Sequence, residues 1–107
     1  MEIVYTDEAN QDLVDTFGFI AVNSDKIAFS QVKKIKDNIK ILKEMPCFGR
    51  VIERRGKKTR FRRLVVKPYI VIYEVLEKRE VVRIICAIDG RRDYMKILFG
   101  RIKEEED

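Results

Sequence analysis

The densest cluster of chemically capable side chains in this sequence is cationic. Eight basic residues (Arg50, Arg54, Arg55, Lys57, Lys58, Arg60, Arg62 and Arg63) stand between Arg50 and Arg63 against Glu53 alone. The whole chain has a net charge of only +5, so the remainder is slightly acidic. A patch this localised suits phosphate or carboxylate, which means nucleic acid or an acidic protein surface. The plain alternative is a solvated loop that contacts nothing specific. A second cluster, Gly90-Arg91-Arg92-Asp93-Tyr94, follows directly on an apolar run. An arginine there can grip carboxylate or phosphate through paired N–H donors. The alternative is a turn in which Asp93 pairs with a neighbouring arginine. Groups for moving protons are few: the chain has no His and only Cys47 and Cys86. Without His or a cysteine pair at ligand spacing, no zinc site is expected, and no cofactor is expected.

Both clusters flank a stretch of strand-forming sequence. Three apolar runs, Leu64–Val66, Tyr69–Val75 and Val81–Ile88, are rich in Val, Ile and Tyr, which suit a pleated surface. The breaks at Lys67-Pro68 and Glu77–Glu80 are short enough for antiparallel hairpins and too short for parallel crossovers. In Tyr69–Val75 both faces are apolar, which predicts a central strand. Tyr69 and Tyr73 are expected in the sheet core with bonded hydroxyls, and Cys86 as a buried free thiol.

The N-terminal half predicts a strand over Glu2–Tyr5 and then two helices. Thr6-Asp7 offers an N-cap, and Ala9, Leu13, Phe17 and Ile20 recur at helical spacing. Gly18 weakens the last turn by about 1 kcal/mol relative to Ala. Ser24 can cap the second helix, whose apolar face is Ala28, Val32, Ile35, Ile39 and Leu42. Lys33, Lys34, Lys36 and Lys40 take its other faces, and Pro46 ends it. Two helices joined so tightly should form an antiparallel hairpin, covered by one face of the sheet. Val32, Ile35, Ile39, Ile70, Ile72 and Ile84 are expected to be buried, and Phe48 to plug the hairpin. Pro46–Thr59 reads as a loop or irregular strand, with Val51-Ile52 pairing locally. Met95, Leu98, Phe99 and Ile102 predict a short final helix, followed by a fraying acidic tail over Glu104–Asp107.

The 107 residues predict one domain spanning 1–107. A chain 46% hydrophobic and 38% charged is globular rather than disordered. Its apolar runs are far shorter than a membrane span. Met1–Tyr5 has no signal-peptide pattern, and two cysteines make no disulfide framework, so a cytoplasmic protein is expected.

Several motifs in this order resemble the RelE/ParE superfamily of bacterial and archaeal toxins. Ala9-Asn10-Gln11-Asp12-Leu13 is similar to its A-x-x-D-L, and Pro46-Cys47-Phe48-Gly49-Arg50 to its P-x-x-G-R. Arg63-Leu64 followed by Tyr69-Ile70-Val71-Ile72-Tyr73 resembles its R-x-L and Y-x-I-x-Y strand pair. Gly90-Arg91-Arg92-Asp93 resembles its H-G-R-R-D ending, with Asp89 where the His usually stands. Together these span Ile3–Leu98. The resemblance implies an α+β fold, β-α-α-β-β-β, with an antiparallel sheet of about four strands packed by a helical hairpin. It also implies the toxin of a type II toxin–antitoxin pair, neutralised by a cognate antitoxin.

The resemblance implies two possible targets, and fold alone does not choose between them. RelE-like members cut mRNA in the ribosomal A site, which requires a base, an acid and cations around the phosphate. In that branch Arg62, Arg63, Arg92 and Tyr94 would be catalytic: arginines on phosphate, Tyr94 as proton donor or stacking platform. Two features depart from it. The central-strand arginine is replaced by Ile70, and no His is available. ParE-like members inhibit DNA gyrase, and Gly90–Asp93 is typical of them; Arg60, Arg91, Arg92 and Asp93 would then bind the target. The departures favour the ParE-like branch. A third class is a degenerate member that only binds antitoxin.

Overall fold

The computed structural model describes residues 1–102; the tail expected to fray lies outside the described residues. The chain runs β1 (Glu2–Tyr5), α1 (Asp7–Ala21), α2 (Asp25–Lys40), β2 (Arg50–Arg54), β3 (Lys57–Val66), β4 (Tyr69–Leu76), β5 (Val81–Asp89) and α3 (Tyr94–Arg101). One 3₁₀ turn, Ile41–Lys43, extends α2, and another, Glu77–Arg79, joins β4 to β5. Both expected caps form: the Thr6 hydroxyl accepts from the Ala9 N–H at 3.0 Å and the Ser24 hydroxyl from the Ile27 N–H at 3.1 Å. Gly18 is carried within α1, which continues to Ala21.

The sheet has five strands in the order β1-β5-β4-β3-β2. It is mixed rather than wholly antiparallel, and one strand larger than expected. β1 pairs parallel with β5, with Glu2 opposite Val81 and Tyr5 opposite Ile84, while the other three ladders are antiparallel. A parallel pair needs a long connection, and here both helices and three strands lie between its members. The second difference is that the basic segment is itself strand: β2 pairs with β3 across a bulge between Val51 and Glu53. Of the two alternatives for Pro46–Thr59, the irregular strand forms around Val51-Ile52, while the low apolar alternation of the charged residues gave no sign of the regular β3 from Lys57 onward.

The sheet is covered on both faces. Leu13, Ile35, Ile39 and Leu42 of the helical hairpin pack on Leu64, Val71, Tyr73 and Ile84. On the opposite face Leu98 and Ile102 pack on Phe61, Ile70, Ile72 and Ile85. Successive residues of the central β4 therefore feed opposite cores, as the two-residue strand period requires. On β5 a bulge lets Ile72 face Cys86 while Tyr73 faces Ile84. Ile85 is the extra residue, and it joins Cys86 in the α3-side core. Five of the six expected buried residues are buried; Val32 is only half-buried. Phe48 does not plug the hairpin: it is 55% exposed, because the loop that carries it is held by its neighbours instead.

Candidate functional site

Arg62 and Arg63 are adjacent on β3, so they point to opposite faces and do different work. Arg62 lies opposite Tyr73. Its guanidinium donates to the carbonyls of Gly49 at 2.9 Å and Cys47 at 3.3 Å. The Tyr73 hydroxyl donates to the Pro46 carbonyl and accepts from the Gly49 N–H, both at 2.8 Å. Burial raises the Tyr73 phenol above its ordinary value, so it stays a donor. A Cβ at position 49 would sit 2.6 Å from the Tyr73 hydroxyl, so glycine is required there for close approach. The Pro46–Arg50 motif is thus a tether for the loop leading into β2.

Arg63 points to the other face, where its guanidinium donates to the Tyr94 hydroxyl at 3.0 Å. These two share a cleft of about 470 Å³ with Arg50 and Glu53 of β2 and Lys58 of β3. Arg50, Glu53 and Lys58 are exposed, Arg63 and Tyr94 half-buried, and Ile52 forms a buried floor. Arg50, Glu53 and Lys58 stand in the charged run read from the sequence but were assigned to no site; the β2–β3 pairing that gathers them was the missing signal.

Arg92 is exposed and lines a different cleft, together with Arg91, Asp15, Phe19 and Tyr69. Of the four residues that RelE-like chemistry would use, the structure therefore brings together only Arg63 and Tyr94. Arg91 is gripped by Asp89, with contacts of 2.8 Å and 3.1 Å to the carboxylate, which also accepts the Arg91 backbone N–H at 2.9 Å. The Arg91 side chain holds the Asp89 carboxyl down to about 2. Among the described residues Asp93 pairs with no arginine; it caps α3, accepting from the Lys96 N–H at 3.2 Å. Arg60 donates to Glu74 at 2.8 Å and lies over the Phe61 ring. Arg83 reaches the other oxygen of this nearly buried carboxylate at 2.8 Å.

A further ion pair went unread in the sequence. Arg101 donates through both terminal nitrogens to the two Asp12 oxygens, each at 2.7 Å. β1 covers only Val81–Ile84 of the β5 edge. Beyond it the Ala87 N–H donates to Asp12 at 2.9 Å, and the Ile85 carbonyl accepts from Arg101 at 2.9 Å. The pair therefore satisfies backbone groups that β1 leaves unpaired. Among the described residues no group of His, Cys, Asp and Glu is placed to hold a metal ion. No helix is long and apolar enough to cross a membrane.

A mixed sheet packed by a helical hairpin on one face and a short helix on the other is the RelE/ParE toxin fold. Residues 3–94 match the family model described as the ParE toxin of the type II toxin–antitoxin system, parDE, and the chain belongs to this family. A search of curated proteins gives no match. Among solved structures, the chain is similar to one titled as the chromosomal ParDE TA system from P. aeruginosa. That match has TM-score 0.70 and 18% identity, covering 83% of this chain and 95% of that one. A YoeB/ParE toxin from Agrobacterium tumefaciens aligns with TM-score 0.59 and 17% identity, over 83% of this chain and 98% of that one. The isolated E. coli RelE toxin aligns with TM-score 0.59 and 12% identity, over 94% of this chain and 97% of that one. At these identities the likeness concerns the fold.

Proposed function

We propose that this toxin arrests growth by inhibiting DNA gyrase in the cytoplasm and is neutralised by a cognate antitoxin. The observation that carries this reading is the dispersal of the RelE-like set. Arg62 is committed to loop carbonyls and Arg92 lines a separate cleft from Arg63 and Tyr94. Position 70, an arginine in the RelE-like pattern, is a buried isoleucine in the α3-side core. With no His, proton abstraction would fall to groups such as arginine, which stays charged and makes a poor base. Arg91 and Arg92 instead present an exposed pair just past β5, suited to carboxylate or phosphate on a large target.

The antitoxin fits the groove between α1 and α2. Leu13, Val14, Phe17, Phe29 and Val32 line it, with Lys36 and Lys40 beside them. An acidic amphipathic helix would bury this apolar floor and meet the lysines. Two assays test the target: supercoiling by purified gyrase, and mRNA cleavage on programmed ribosomes. Inhibited supercoiling with intact mRNA is expected. Codon-dependent cleavage with normal supercoiling would reverse the assignment to a ribosome-dependent mRNA interferase. Normal growth on expression would leave a family member that only binds antitoxin.

A further inference from the structure

We propose that the acidic run at positions 104–107 (Glu104, Glu105, Glu106 and Asp107) docks on this chain's own basic end and straps α3 to the sheet. The docking surface is the β2–β3 turn together with the Arg60–Glu74–Arg83 row that crosses β3, β4 and β5. It uses neither Arg91 nor Arg92 and is independent of the gyrase reading.

The end of α3 decides what its continuation meets. Ile102 is buried in the core that holds Phe61 and Ile85. Phe99, one turn earlier, meets the Phe61 ring edge-on at 6.0 Å, and the Arg54 guanidinium lies 3.9 Å from the centre of the Phe99 ring. Arg60 lies 4.4 Å over the Phe61 ring. Arg83, two positions before Ile85 on β5, reaches the same Glu74 carboxylate as Arg60. The described chain therefore ends among three arginines. β3 and β5 flank β4, so their axes lie about 10 Å apart. Residues 103–107 can span up to roughly 17 Å, enough to touch both.

Charge gives the direction. Positions 54–60 hold five cations (Arg54, Arg55, Lys57, Lys58 and Arg60) and no acid, whereas 104–107 are all acidic. These carboxylates follow the C-terminal end of α3, the negative pole of the helix dipole, where anions are disfavoured. Turning onto the arginines offsets that cost. A single exposed pair contributes little, but the tether gives the run an effective concentration on the order of millimolar, at which several weak contacts hold together.

Paramagnetic relaxation on the full chain tests the contact. Cys47→Ser leaves the buried Cys86 as the only natural thiol, and Asp107→Cys carries a nitroxide label. A reference chain carries the same label with Glu104→Gln, Glu105→Gln and Glu106→Gln. At low salt the backbone amides of residues 54–60 and of Arg83 should relax several-fold faster in the acidic chain than in the reference. The difference should vanish at 1 M salt, where charges are screened within about 3 Å. Arg54→Gln with Arg55→Gln, both at exposed positions, should remove most of it. Equal relaxation in the acidic and neutralised chains overturns the proposal, as does an excess confined to the lysines of α2. Mixing isotope-enriched unlabelled chain with unenriched labelled chain asks whether the run reaches a second copy. Broadening of the same amides in that mixture also overturns the proposal and makes the contact intermolecular.

Discussion

Asp12 and Arg101, 89 positions apart, close a two-pronged ion pair that joins α1, the open edge of β5 and the end of α3. Asp12 is 7% exposed, so removing its partner strands a buried charge. Arg101→Ala and Asp12→Ala should each cost about 3–5 kcal/mol in urea unfolding. The double variant should cost clearly less than the sum, because each single change already breaks the pair. Strictly additive losses would show that the two residues act independently.

Gly49→Ala should destabilise the fold by about 1–3 kcal/mol, since the new methyl meets both the Tyr73 ring and the Arg63 carbonyl inside 3.0 Å. Tyr73→Phe keeps the ring but leaves the Gly49 N–H and Pro46 carbonyl without their partner. It should cost about 1–3 kcal/mol. An unchanged denaturation midpoint in both variants would mean that the loop before β2 is not tethered there.

Under the gyrase reading, Arg91→Glu and Arg92→Glu should each abolish growth arrest while leaving the circular dichroism spectrum unchanged, because both side chains are exposed at a strand end. Arg91 carries a second, pH-linked signature. Asp89 titrates at about 2, held down first by its Arg91 side-chain bond. A carboxyl depressed in the folded state stabilises it above the unfolded value and loses that contribution as pH falls through about 2. Carboxyl NMR titration of Arg91→Ala should show Asp89 rising toward about 3.9. A value still near 2 would assign the depression to groups other than the Arg91 side chain, the backbone N–H of residue 91 first among them.

The two thiols should react very differently. Cys47 is exposed, and Cys86 is buried with its thiol pushed up to about 11, chiefly by that burial. A thiol reagent at pH 8 should label one cysteine in the native protein and two in denaturant. Because the Cys86 value is raised, the unfolded chain ionises first, and stability should decline as pH rises from about 8.5 toward 11. Rapid double labelling of the native state would contradict the buried placement.

The helices were legible because local signals fix them: caps at Thr6 and Ser24, and apolar residues at helical spacing. The central strand was legible from residues apolar on both faces. β2 was legible only as a loop or irregular strand with local pairing at Val51-Ile52, and the start of β3 was not, because a charged hairpin lacks the alternation that marks a half-buried strand. The parallel β1–β5 ladder depends on pairing across most of the chain, which no local window contains. At the site, the two-residue strand period alone separates Arg62 from Arg63. Arg101 looked like an ordinary polar position on a short helix; only the fold shows that β1 is too short to cover β5. Asp12 stood in a recognisable motif, yet its partner lies at the other end of the chain.

The pairing of Glu2 with Val81, together with the Asp12–Arg101 bridge, sets a schedule for folding. The first strand has no neighbour in the sheet until β5 has been made, and the bridge waits for Arg101. Contacts between distant parts of a chain slow folding, because loop closure is costly before any contact rewards it. The helical hairpin can form early, but its apolar face must wait for the strands that cover it. The sheet therefore cannot be finished before β5 has been synthesised, and the bridge that closes its open edge waits one helix longer, for α3.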